Sequence, residues 1–117
     1  MILGIGTDIC SIERLTKALE RTENLRARLF HDSEIDLTLD SLAARFAAKE
    51  ALAKALGDPR MLTWNEIAVV NDELGKPRFE FFGSTANNVD SFGVSTAWLS
   101  ISHDAEVAIA MVVLEAN

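Results

Sequence analysis

Two charged side chains fall in an alanine-rich stretch that otherwise reads as a buried helix. From Ser41 to Leu56 the sequence is strongly helix-forming, and Gly57, Asp58 and Pro59 supply a stop. At about 100° per residue, Leu42, Phe46, Ala53 and Leu56 share one apolar sector, with Lys49 inside it and Glu50 at its edge. Burying either charge alone is costly, so each needs a partner or a ligand. Both uses are open: ion pairs at the helix rim, with Lys49 reaching its ammonium outward, or contacts to something bound. Asp8 poses the same question at the end of an apolar strand interrupted by Gly4 and Gly6. It could cap or accept from the helix starting near Ser11. Paired with Glu50, it would also suit Mg²⁺, which takes a few carboxylate oxygens and fills its other positions with substrate phosphates.

Other chemistries find less support. The chain has two histidines and neither CxxC nor HExxH spacing, which argues against structural zinc. Ser100 and Ser102 lack a GxSxG setting, Gly4-Ile5-Gly6 falls short of GxGxxG, and no Walker A sequence is present. His103 ends the segment 98–103 on the face of Leu99 and Ile101, where either a hydrogen-bonded edge role or a ligand contact is open. Cys10, the only cysteine, reads as a small buried side chain in a reduced protein without disulfides.

Charge is unevenly spread. The 117 residues hold 11 Lys+Arg and 18 Asp+Glu, for a net −7, which argues against a dedicated nucleic-acid binder. Five of the cations lie in residues 14–28 against only Glu20 and Glu23, so that window carries +3 and the remainder −10. Arg14, Lys17 and Arg21 share one face of the first helix. That face is either simply solvated or a docking surface for an acidic protein.

The elements that must position these groups form a single domain, 1–117, with no repeat or linker and prolines only at 59 and 77. A strand is expected over 2–9, where the glycines imply that something approaches closely. A helix over 12–22 capped by Ser11 and a short helical turn after Asp32 or Ser33 precede the 41–56 helix. Strands at 63–71 and 78–82 form a hairpin around Asp72–Pro77, a short helix follows at 84–92, and strands at 95–103 and 106–114 flank a turn at 103–106. The fold class is α+β, helices packed on a mostly antiparallel sheet. The longest apolar run, Val107–Leu114, is far shorter than the roughly 20 residues that cross a bilayer, and the N-terminus lacks signal-peptide features. A cytoplasmic protein without membrane association is expected. A radius near 13 Å leaves little room for a deep solitary pocket, so a large substrate would call for a second subunit.

Taken together, Gly4-Ile5-Gly6-Thr7-Asp8-Ile9, Arg14, Arg45-Phe46-Ala47-Ala48-Lys49-Glu50-Ala51, Gly75-Lys76-Pro77 and Ser100-Ile101-Ser102-His103 resemble the small phosphopantetheinyl transferases, the holo-[acyl-carrier-protein] synthase family. The matches run in the family's order from residue 4 to residue 103. Cys10 stands where an aliphatic residue is common, and Leu74 where the family often has Asn.

The resemblance implies transfer of 4'-phosphopantetheine from coenzyme A to a serine hydroxyl of apo acyl carrier protein, or of a carrier domain of a fatty acid synthase. Adenosine 3',5'-bisphosphate is the expected by-product. It assigns Mg²⁺ to Asp8 and Glu50, phosphate contacts to Lys54, and the 3'-phosphate end of the nucleotide to Arg45 and His103 with Lys76 nearby. The base for the serine is Glu50 or a metal-bound water. Arg14, Lys17 and Arg21 become the carrier-protein docking face, and the assembly a homotrimer with active sites between subunits. Two rivals are a non-catalytic oligomer that binds coenzyme A or another nucleotide, and a Mg²⁺-dependent phosphohydrolase.

Overall fold

Alanine dominates the helix around which everything else is laid. In the computed structural model, which describes residues 1–117, this helix (α3) runs Leu39–Leu56. It starts where the Thr38 hydroxyl accepts from Ser41 N–H and ends at Gly57, whose φ of 84° only glycine adopts without cost. Eleven of its residues are buried, seven of them alanines, so backbone can approach it closely.

The first strand, β1 (Ile2–Ser11), exploits that thinness. A Cβ at Gly4 would strike the Ala55 carbonyl oxygen, and one at Gly6 the Ala51 carbonyl. The close neighbour that the glycines imply is therefore α3 itself. After β1 come α1 (Ile12–Arg21), capped by the Ser11 hydroxyl accepting from Arg14 N–H, and α2 (Leu25–Leu29). A 3₁₀ turn at Asp32–Glu34 precedes α3. Beyond it lie 3₁₀ turns at Pro59–Met61 and Trp64–Glu66, then β2 (Ile67–Asn71), β3 (Pro77–Phe81), α4 (Gly83–Ser91), β4 (Thr96–Asp104) and β5 (Val107–Glu115).

The α+β class agrees with expectation, with all strand pairs antiparallel. The strands divide, however, into a three-stranded sheet, β1-β5-β4, and a separate β2-β3 hairpin. The expected strand at 63–71 begins only at Ile67, because Glu66 N–H is taken by the Thr63 carbonyl in a tight turn. Helix α2 was not anticipated: at five residues it is too short to show periodicity, and it starts after Asn24 at φ 63°. His103 and Asp104 pair with Ala108 and Val107, which narrows the last turn to Ala105 and Glu106, both at positive φ.

The inner face of the three-stranded sheet packs on α3 through residues such as Ala108, Ala110, Val112 and Leu114. The outer face is apolar yet exposed, with Ile5, Ile9, Trp98, Ile109 and Met111 uncovered. No helix is long and apolar enough to cross a membrane.

Candidate active site

Strand alternation aims Asp8 to the same side as Gly4 and Gly6, toward α3, where Glu50 and Lys54 stand one turn apart. Lys54 Nζ donates to Asp8 Oδ1 at 3.0 Å and to the Thr7 carbonyl at 3.0 Å. Asp8 therefore does not cap α1; the Ser11 hydroxyl does. Glu50 forms no ion pair and is half-buried. Burial and then the charge of Asp8 push its carboxyl above the usual range, opposed by Lys54 and by the Trp64 indole N–H, which faces it without a well-formed hydrogen bond. Lys54 pairs with Asp8 and reaches Glu50 only through its field, so two carboxylates beside one ammonium leave a surplus negative charge. That hard-oxygen pair fits a divalent cation such as Mg²⁺. No third histidine, cysteine or carboxylate closes the set, so a cation here would keep positions open to substrate or water.

Beside Glu50 lies a mostly apolar cavity of about 420 Å³ walled by Leu15, Phe46 and Trp64, with Arg14 at its edge. Cys10 also borders it. Its thiol is pushed up to about 11, by burial first and then by Asp8 and Glu50, so at neutral pH it is an inert small side chain.

Elsewhere on α3, Arg45 lines a pocket of about 230 Å³ together with His103, Asn71, Gly75 and Pro77. Arg45 and His103, 58 positions apart in sequence (103 − 45), thus meet, as their assignment to one ligand end requires. Lys76 does not join them. Its ammonium sits 5.4 Å from the centre of the Trp98 ring, in a neighbouring pocket. The hairpin turn is built by Asp72, whose carboxylate accepts from Leu74 and Lys76 N–H at 2.9 Å each, so the exposed Leu74 side chain leaves it intact.

Lys49 departs most from the rim position considered above. It is fully buried, and its ammonium donates to Glu34 Oε1 at 2.6 Å, to the Leu29 carbonyl at 3.0 Å and to the Trp64 carbonyl at 3.2 Å. Burial pushes its pKa down and Glu34 resists that shift. Glu34 was not singled out in the sequence. The signal was present: Glu34 is the third residue after the cap His31 and accepts from His31 N–H, completing a capping box in which histidine replaces the usual serine or threonine.

On α1, Arg14, Lys17 and Arg21 are all exposed, but Lys17 is paired with Glu13 at 2.9 Å. The unpaired positive charge of this face therefore rests on the two arginines.

Fold and site together define a class: a small α+β domain with a cation-seeking carboxylate pair and an arginine-lined pocket on one helix. Residues 4–112 match the model of the 4'-phosphopantetheinyl transferase superfamily, and the chain belongs to that family. It is 48% identical over 117 residues to a holo-[acyl-carrier-protein] synthase of Clavibacter michiganensis, covering 100% of this chain and 98% of that protein. Among solved structures, holo-[acyl-carrier-protein] synthase from Neisseria meningitidis superposes with a TM-score of 0.90 at 33% identity, covering 98% of this chain and 99% of that one. The Helicobacter pylori synthase, solved in complex with coenzyme A, gives 0.83 at 33% identity, covering 95% and 99%.

Proposed function

We propose that this chain transfers 4'-phosphopantetheine from coenzyme A to a serine hydroxyl of apo acyl carrier protein, with Mg²⁺, yielding the holo carrier and adenosine 3',5'-bisphosphate. The observation that carries this reading is the pair of charge clusters on α3, one short of positive charge and one short of negative. The serine oxygen forms a bond to the pantetheine-side phosphorus. The bond from that phosphorus to the bridging oxygen breaks, and the electron pair leaves with the adenosine bisphosphate. Asp8 and Glu50 would hold Mg²⁺, which supplies neutralising charge to the pyrophosphate when bound. Lys54, at 58% exposure, brings a compact charge to the same phosphates. Arg45 and His103 receive the 3'-phosphate end, and Lys76 joins them only by leaving Trp98. The serine proton passes to Glu50 or to solvent. Positioning and electrostatics provide most of the rate gain.

Arg14, Lys17 and Arg21 face the acidic carrier, a free protein or a domain of a fatty acid synthase. The exposed apolar sheet face of Ile5, Ile9, Trp98, Ile109 and Met111 supports a homotrimer whose neighbouring copies cover it and complete the site. We read the chain as one domain, 1–117, working in the cytoplasm. The test is mass spectrometry of apo acyl carrier protein incubated with this chain, coenzyme A and Mg²⁺. The carrier gains one phosphopantetheine. A set of compatible carriers left unmodified overturns the proposal, and coenzyme A consumed without any carrier points instead to hydrolysis.

A further inference from the structure

Glu34 is 1% exposed, yet it is saturated with donors from three elements. Its Oε1 takes Lys49 Nζ at 2.6 Å and His31 N–H at 3.0 Å, and its Oε2 takes Val69 N–H at 2.8 Å. These bonds tie a 3₁₀ turn, α3 and β2 to one carboxylate and fix its position. Arg45, one turn before Lys49 on the same side of α3, brings its Nε to 3.5 Å from Oε2. That approach is an ion pair without a hydrogen bond: Nε has no partner, and one terminal nitrogen makes only a long 3.4 Å contact to the Ser41 carbonyl. Lys49 already neutralises Glu34. The Arg45 charge is therefore surplus, held at the wall of the pocket it shares with His103, its donors largely unspent. A guanidinium so placed suits a phosphate oxygen pair.

We propose that Glu34 is a positioning residue for Arg45: the carboxylate fixed by Lys49, His31 and Val69 holds the guanidinium in the Arg45–His103 pocket, so that it meets the 3'-phosphate of the nucleotide and sets preference for it. The inference rests on the functional reading above and deepens it.

The experiment compares kcat/KM for coenzyme A and 3'-dephospho-coenzyme A in the wild type, Arg45→Ala, Glu34→Gln and the double variant. The wild type favours coenzyme A. Arg45→Ala lowers that preference by about tenfold or more, as for loss of a charge-assisted hydrogen bond. Glu34→Gln lowers it severalfold and adds nothing further in the Arg45→Ala background, while a merely structural role would depress both substrates alike. Should Glu34→Gln fail to fold, Glu34→Gln combined with Lys49→Met removes the buried pair together and gives the same fall in preference. An unchanged preference in Glu34→Gln or its Lys49→Met combination, or in Arg45→Ala, overturns the inference, as does a Glu34→Gln effect that persists without Arg45. A wild type that transfers from neither substrate overturns the functional reading, and this inference with it, before any variant is compared.

Discussion

The two clusters on α3 use the same ingredients and reach opposite outcomes. In the first, Glu34 and Lys49 are wholly buried, every oxygen and the ammonium are bonded to protein, and Arg45 is left as a surplus cation. In the second, the half-exposed Lys54 pairs with Asp8 while Glu50 beside it has no ion-pair partner, and the surplus is negative. Burial decides the difference. A buried charge must be paired within the protein, so the first cluster knits elements together; a cluster open to water can leave charge unpaired and await a ligand. The residual signs are complementary to a cation at one end and a phosphate at the other, and one rigid helix holds both.

The largest effect should separate the two lysines. Lys49→Ala strands Glu34 in the core and is expected to cost about 3–5 kcal/mol in urea unfolding. Lys54→Ala removes a solvent-screened pair and should cost less than about 1 kcal/mol. Equal losses would erase the distinction between a knitting cluster and an open one.

Next come the open carboxylates. Asp8→Ala and Glu50→Gln are expected to lower transfer by about 10²–10³-fold, the scale seen when an electrostatic group is removed from a reacting centre. Circular dichroism and thermal midpoint should stay near the wild type, because neither side chain is buried as Glu34 is. Loss of Mn²⁺ binding, followed by electron paramagnetic resonance without substrate, gives a readout independent of turnover. Retained Mn²⁺ binding in both variants would remove the metal assignment.

The open cluster was the more legible of the two in the sequence. Asp8 and Glu50 stand out because charges in apolar stretches are rare, and Gly4 and Gly6 signal a close approach without saying by what. Lys49 stood out equally, but its partner did not. Glu34 lies on a three-residue turn with no periodicity to betray it, and only the tertiary meeting of that turn with α3 and β2 shows the ion pair to be central. For the same reason the resemblance that sets Lys76 near Arg45 and His103 does not fix its side chain, whose direction depends on packing against Trp98 from a distant strand. The division into two sheets was hidden likewise, since pairing partners are a property of the whole fold.

A smaller effect is expected on α1, where no charge is buried at all. Reversing Arg14 and Arg21 to Glu should raise the KM for the carrier about tenfold, and more at low than at high salt, while the KM for coenzyme A changes less than about twofold. Lys17→Glu should do less than either arginine, because Glu13 already offsets it. Equal effects on both substrates would merge the docking face with the nucleotide site.

Glu66 offers the mildest test, since it is a carboxylate satisfied without any cation. Helix α4 begins after Phe82, which provides no side-chain cap, and Glu66 reaches across to do that work. It accepts from the Ser84 hydroxyl at 2.8 Å and N–H at 3.3 Å, and from the Thr85 N–H at 3.0 Å and hydroxyl at 2.9 Å. The Ser84 hydroxyl first, then Thr85, hold its carboxyl below the ordinary 4.5. A carboxyl whose folded value is depressed stabilises the fold above the unfolded value and loses that contribution as pH falls through the folded one. The wild type should therefore lose stability below about pH 4.5 more steeply than Glu66→Gln, as read from urea midpoints at successive pH values. Amide exchange at the start of α4 should quicken over the same range in the wild type alone. Parallel pH profiles would mean that neutral donors at an exposed helix start contribute nothing distinguishable, and that only charge pairing of the kind found on α3 shapes the acid response.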